Sequence, residues 1–200
     1  MADHQTPPDK ITRYNLPVTE GRTVFFRVSD EGIAPGPDAV SYMRKGTFVV
    51  LPYQRIIEVN LAMNHLGKGV SFATMQIRFA RDKRVLVTST DEWMRPTPDQ
   101  IQEYYRYKAD FHARLVAAGA SHIRFTTGYT EERARVVKVV LAIGFAVFTI
   151  VPLALFMVTG QPQALWAMLL GIFFVLPFAQ AGRRNMPASY DPRDPPDMLG

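Results

Sequence analysis

The chain has no cysteine. That excludes disulfides, thiolate metal sites and cysteine nucleophiles. Residues 139–182 contain no Asp, Glu, Lys or Arg. Ion pathways, proton relays and intramembrane proteolysis use ionisable groups within the bilayer, so this segment offers no basis for them. Histidine is sparse. His4, His65, His112 and His122 stand apart, and none falls in an HExxH or comparable ligand pattern. No metal or other cofactor is expected. The chain also lacks the GxxxxGK[ST] phosphate loop and the GxSxG nucleophile elbow. Gly67-Lys68-Gly69 is too short to cradle phosphates and reads as a turn. Asp91-Glu92 and Glu131-Glu132 are adjacent carboxylates whose side chains diverge on a strand or a helix, so neither forms an acid–base couple. Nothing here points to an enzyme.

What is present divides the chain in two. Residues 1–135 hold 19 of the 23 Lys and Arg and 15 of the 18 Asp and Glu. These charges are interspersed, which fits a solvated surface and gives no sign of nucleic acid. Val139 to Val158 is then a run of twenty residues without charge. About 20 apolar residues at about 1.5 Å rise match the hydrocarbon core of a bilayer. A second apolar run, 164–179, follows five residues later. The reading is a transmembrane hairpin over 131–182, with spans at about 137–159 and 163–181.

Charge sets the expected orientation. Arg133, Arg135 and Lys138 precede the first span, and Arg183 and Arg184 follow the second. The intervening loop at 159–163 is uncharged. The positive-inside rule then places both flanks in the cytoplasm, with Trp166 at the far interface. The five basic residues are the candidate contact with the membrane surface and its anionic lipids, each contributing about 1 kcal/mol. The opening MADHQTPPDK has no apolar signal region. Residues 1–20 are expected as a disordered leader and the proline-rich residues 183–200 as a flexible cytoplasmic tail.

Residues 21–130 read as one β-rich domain. Arg22–Asp30 has strand composition and leads into a turn, 34–38 reads as a loop, and Thr47–Tyr53 as a strand at an edge, where Pro52 sits. From Gln54, Ile57, Val59, Leu61 and Met63 alternate with Glu58, Asn60 and Ala62. After a reversal at 65–69, Met75, Ile77 and Phe79 alternate with Gln76 and Arg78. Residues 81–84 are a charged hairpin tip and 85–90 the returning strand. Such a meander has one packed face and one solvated face. Thr97-Pro98-Asp99-Gln100 then starts a helix, with Thr97 as cap, Pro98 at the first position and Gln100 closing a capping box. Ile101, Tyr104, Tyr105, Phe111 and Leu115 recur near helical spacing, and Gly119 ends the helix. Tyr104 and Phe111 are assigned to the core. Tyr105 and Tyr107 are assigned elsewhere, as candidate contacts to lipid or a partner, together with Arg81, Lys83 and Arg84 at the hairpin tip. Residues 122–129 form a last strand or a linker.

A strand meander followed by a long helix resembles the bacterial pleckstrin-homology-like membrane proteins over about residues 20–118. The segment Leu51 to Val59, LPYQRIIEV, looks like the family's strand-turn-strand, and the helix 98–118 stands where the family places its closing helix. The resemblance implies an α+β fold: an antiparallel β meander or barrel closed by one carboxyl-terminal helix, here followed by the two-helix transmembrane hairpin. It also implies a bacterial inner-membrane setting. Phosphoinositide-binding members carry Lys and Arg at the first hairpin loop, whereas residues 30–38, DEGIAPGPD, are acidic. Two functions are expected. The first is a membrane-anchored, non-enzymatic scaffold whose cytoplasmic domain binds a protein partner of a membrane complex, or a second copy. The alternative is a module that senses anionic lipids.

Overall fold

The computed structural model describes residues 11–21, 32–65, 71–91, 93 and 95–197. The strand expected over 22–30, the reversal at 66–69, His4 and Glu92 lie outside the described residues. The chain forms two compact units: Met1–Thr126 with Ser189–Gly200, and Thr127–Ala188.

The first unit is α+β, with two antiparallel sheets. β2 (Ile33–Pro35), β3 (Ala39–Arg44) and β4 (Thr47–Pro52) form one sheet in that order. The larger sheet runs β1-β7-β6-β5-β8-β9, built from Val18–Glu20, Arg84–Thr88, Ser71–Phe79, Ile56–His65, Arg124–Thr127 and Ala188–Ser189 respectively. Pairing is antiparallel for β1 with β7, β5 with β6 and β6 with β7.

Several expectations change. Residues 11–20, assigned to the leader, carry Tyr14, Leu16 and Val18 into the core, and β1 pairs with β7. Their period-two spacing is that of a half-buried strand. The loop over 34–38 is partly strand, since β2 pairs with β3 through Ala34 and Pro35. Ile57 does not join Val59 and Leu61 in the core. A register shift between Ile56 and Glu58 buries Ile56 and leaves Ile57 39% exposed. A bulge adds one residue and reverses the facing of what precedes it.

The face expected to be solvated is buried in part, with Ala62, Gln76 and Arg78 half-buried. Glu58, Asn60, Thr74, Thr88 and Thr126 are all buried. Their polar groups are paired: Glu58 accepts from Arg78 (2.9 Å) and Arg124 (2.9 Å), and Asn60 donates to Thr126 (3.0 Å). Burial of a carboxylate is tolerable when cations and hydroxyls satisfy its oxygens.

α1 spans Pro98–Ala117. Thr97 caps it by accepting from the Gln100 amide at 3.3 Å. The capping box is not completed, because the Gln100 side-chain oxygen is buried without a partner. Tyr104, Tyr107, Phe111 and Leu115 make the buried stripe. Their spacing of three and four residues keeps them on one helix face. They meet Tyr14 and Tyr53 edge-on, at ring-centroid distances of 5.6 Å for Tyr14–Tyr107 and 5.9 Å for Tyr53–Phe111. α1 is followed by β8, which joins the larger sheet beside β5.

The second unit is built on two helices, α2 (Glu131–Thr159) and α3 (Gln163–Arg184). α2 is long and apolar enough to cross a membrane, with a mean hydropathy of 2.7 in its best window. Pro152 sits inside it without ending it.

Candidate membrane interface

Thr130 starts α2 by accepting from the Arg133 amide at 3.4 Å. Glu131 and Glu132 in the first turn complement the positive end of the helix dipole. Arg133, Arg135 and Lys138 follow, all exposed. Their helical angles spread them around the axis, so they form a collar with no single charged stripe. The Arg133 guanidinium lies over the Tyr129 ring, 4.7 Å from its centroid. That holds one cation of the collar against an amphipathic ring at its base.

Beyond Lys138 the surface of α2 is apolar in every direction. Val140, Ile143, Phe145, Ile150, Leu155 and Val158 are between 53% and 85% exposed. Only 6% of the best apolar window is buried. A helix that is hydrophobic all round and unburied lacks the cover that a globular interior would give it. Thirteen of residues 139–158 are Val, Leu, Ile or Phe. At about −0.3 to −0.6 kcal/mol each in a bilayer, they sum to about −4 to −8 kcal/mol, against which Gly144, Thr149 and Pro152 act.

α3 returns antiparallel to α2. A side chain at Gly144 would meet Val175, one at Gly171 would meet Phe148, and one at Gly182 would meet Val137 and Leu141. The register is therefore continuous along the hairpin. At Gly171 the approach is closest, since an added Cβ would lie 2.5 Å from the Phe148 Cβ. Small residues allow this close packing between apolar helices. The same register brings Arg183 and Arg184, at the end of α3, to the end of the hairpin that carries Arg133, Arg135 and Lys138. At that base the Tyr129 amide donates to the Asn185 carbonyl at 2.7 Å. At the opposite end Gly160 caps α2 in the left-handed conformation, and Trp166 is 68% exposed.

The other candidate contact residues fare differently. Arg84 is buried and held by Asp82 at 2.8 Å. Lys83 is paired with Glu20 at 3.4 Å, which leaves Arg81 as the exposed cation of the tip. Tyr107, expected to contact lipid or a partner, is fully buried in the α1 stripe and cannot do so. Tyr105 is partly exposed, but Lys108 lies over its ring at 4.8 Å.

A second cluster, formed by α1 and the carboxyl-terminal segment, was not anticipated from the sequence. Residues 189–197, assigned to a flexible tail, return to the first unit. The Tyr190 ring lies 5.7 Å from both His112 and Phe125, and its hydroxyl is 2.8 Å from His112 Nε2. His112 Nδ1 is 2.7 Å from the Lys108 carbonyl. The carbonyl can only accept, so Nδ1 carries the proton and Nε2 accepts from Tyr190. Burial pushes the His112 imidazole down to about 4, partly offset by its bond to Lys108. Lys108 is itself buried and donates to the Pro196 carbonyl at 2.9 Å. Desolvation lowers its affinity for a proton, and Asp197 opposes that. The sequence signal that could have found this cluster is an aromatic at 190 within a proline-rich segment.

Compared with protein-family models and with curated proteins, the chain matches none.

Proposed function

We propose that this protein is a membrane-anchored, non-enzymatic interaction module. The α2–α3 hairpin lies in a bacterial inner membrane, and both termini lie on the cytoplasmic side. The first unit, taken as a pleckstrin-homology-like domain, presents its surface to a protein partner in a membrane complex. One observation carries the reading: α2 is apolar around its whole circumference, unburied, and collared by Arg133, Arg135 and Lys138 at one end only. An uncovered helix of that kind is stable in lipid and unstable in water. The one-sided collar supports the orientation.

Two measurements on the full chain test it. After alkaline carbonate extraction, the protein is expected to remain in the membrane pellet. A cysteine placed at Gly160 is expected to react with an impermeant maleimide only from the non-cytoplasmic side. Release by carbonate, or labelling of Gly160→Cys only from the cytoplasmic side, overturns the reading. The lipid-sensing alternative draws less support, because two of the three hairpin-tip cations are already held by Asp82 and Glu20.

A further inference from the structure

The free edge of the smaller sheet carries a further inference, which rests on the interaction-module reading and specifies its partner. β3 and β4 are joined by a two-residue turn, Lys45-Gly46, with φ of 47° and 76°. A turn of this type makes the flanking pair, Arg44 and Thr47, the hydrogen-bonded one. Alternation then turns the backbone groups of Thr47, Val49 and Leu51 toward β3. Tyr53 keeps the parity, since its amide donates to the Asp38 carbonyl at 2.9 Å. Phe48 and Val50 therefore point their N–H and C=O away from β3, and β4 ends the sheet among the described residues. Their side chains share the outer face and are 53% and 52% exposed. An edge with free ladder groups and an apolar outer face is a template for another strand.

Charge selects the occupant. At the turn end of β4, Arg44 and Lys83 share the single carboxylate of Glu20, at 2.8 and 3.4 Å, and Lys45 is exposed beside them. Three cations face one anion there. We infer that β4 receives an extended segment of a partner protein that pairs antiparallel to it. That segment carries apolar residues at alternate positions and carboxylates at its carboxyl-terminal end, beside Lys45. Main-chain bonds to Phe48 and Val50 supply affinity, and the side-chain alternation and the acidic end supply specificity.

A second copy of this chain fits the edge less well. Antiparallel pairing of β4 with itself would set Lys45 of one copy beside residues 51–55 of the other, Leu-Pro-Tyr-Gln-Arg, which offer it no carboxylate.

The test uses the full chain in nanodiscs and three synthetic peptides. The first is Val-Thr-Val-Thr-Val-Asp-Asp. The second replaces the two Asp by Lys. The third is the first with N-methyl groups on the backbone amides that would face β4. The acidic peptide is expected to bind at least tenfold more tightly than the other two and to slow amide exchange at Phe48 and Val50. Lys45→Glu, which leaves two cations facing two carboxylates, is expected to abolish the preference between Asp and Lys ends. Val50→Pro, at an exposed position whose amide makes no bond to β3, is expected to weaken binding at least tenfold. Equal affinity for all three peptides overturns the inference, and so does no binding. Protection of β4 that rises with protein concentration alone, without peptide, assigns the edge to a second copy and also overturns it. Carbonate resistance without peptide binding would refute this inference and leave the anchored module standing. Carbonate release would refute the anchor whatever the peptides do.

Discussion

Acid should loosen the first unit through His112, and the size of the effect follows from its surroundings. The imidazole is nine-tenths or more hidden from water, donates from Nδ1 to the Lys108 carbonyl and accepts at Nε2 from Tyr190. Burial holds its pKa at about 4, against 6.5 when exposed. Between those values the unfolded chain binds the proton and the folded chain does not, so stability rises with pH across that window. It is fully present above about pH 6.5 and is lost as pH falls toward 4. A shift of about 2.5 units corresponds to about 3 kcal/mol in total, of which about 2 kcal/mol is gone by pH 5. Once protonated, Nε2 becomes a donor and the Tyr190 hydroxyl must turn to accept from it, so the new charge is felt first at the segment 189–197.

Urea unfolding of the detergent-solubilised chain, followed by tyrosine near-ultraviolet dichroism between pH 7 and 5, reads this directly. The urea midpoint should fall with pH, and His112→Gln, which does not titrate in this range, should remove most of that slope. In a proton NMR titration the His112 ring should remain unprotonated at pH 5. A His112 midpoint near the ordinary imidazole value of 6.5, or a pH slope unchanged by His112→Gln, would refute the reasoning.

Glu58→Gln should lower stability by about 2 kcal/mol in the same urea assay. This is less than a fully buried ion pair would cost, because Arg124 is 44% exposed and can turn to water. Tyr107→Phe should leave stability unchanged or raise it by up to about 1 kcal/mol, since its hydroxyl is buried without a partner. A loss of more than 1 kcal/mol would show that the hydroxyl is bonded after all. Gly171→Leu should separate α2 from α3 at Phe148, costing about 1–3 kcal/mol of helix packing. Oxidative cross-linking of a Gly144→Cys, Val175→Cys pair should then drop severalfold, and an unchanged yield would contradict the register.

The period of the pattern decided what could be read from the sequence. The start of α1 was legible in four residues, because Thr97 and Pro98 act locally through one amide and one fixed dihedral. The membrane-length helix α2 was legible because a charge-free run of twenty residues has few other uses; the second expected span, α3, does not reach that standard among the described residues. Ile57 was misplaced because a bulge leaves no composition signal. Tyr107 was misplaced although Tyr104, Tyr107, Phe111 and Leu115 keep perfect helical spacing, because Tyr105 competed for the same stripe. The buried polar face was missed because Glu58 looks solvated until Arg78 and Arg124 arrive from other strands. The strand β3 went unread, though Val40 and Tyr42 alternate with Ser41 and Met43. Longer-range facts, such as Tyr190 on His112, link residues 78 positions apart, and no local pattern encodes them.

The discontinuity of the first unit constrains how the protein can be made. Its core includes Tyr190 packed against Phe125, yet residues 127–188 are synthesised between them. A fragment ending near residue 130 lacks that ring and leaves the His112 Nε2 without its donor. The ring that covers this edge of the core therefore arrives only after residues 127–188 have been synthesised. Joining ends across so long an insertion would normally carry a loop-closure cost. An antiparallel hairpin that forms first would bring them together, since the Tyr129 amide donates to the Asn185 carbonyl at its base. We therefore predict that formation of α2 against α3 favours completion of the sheet domain. Any substitution that splays the hairpin, Gly171→Leu first among them, should slow folding of a domain it does not belong to.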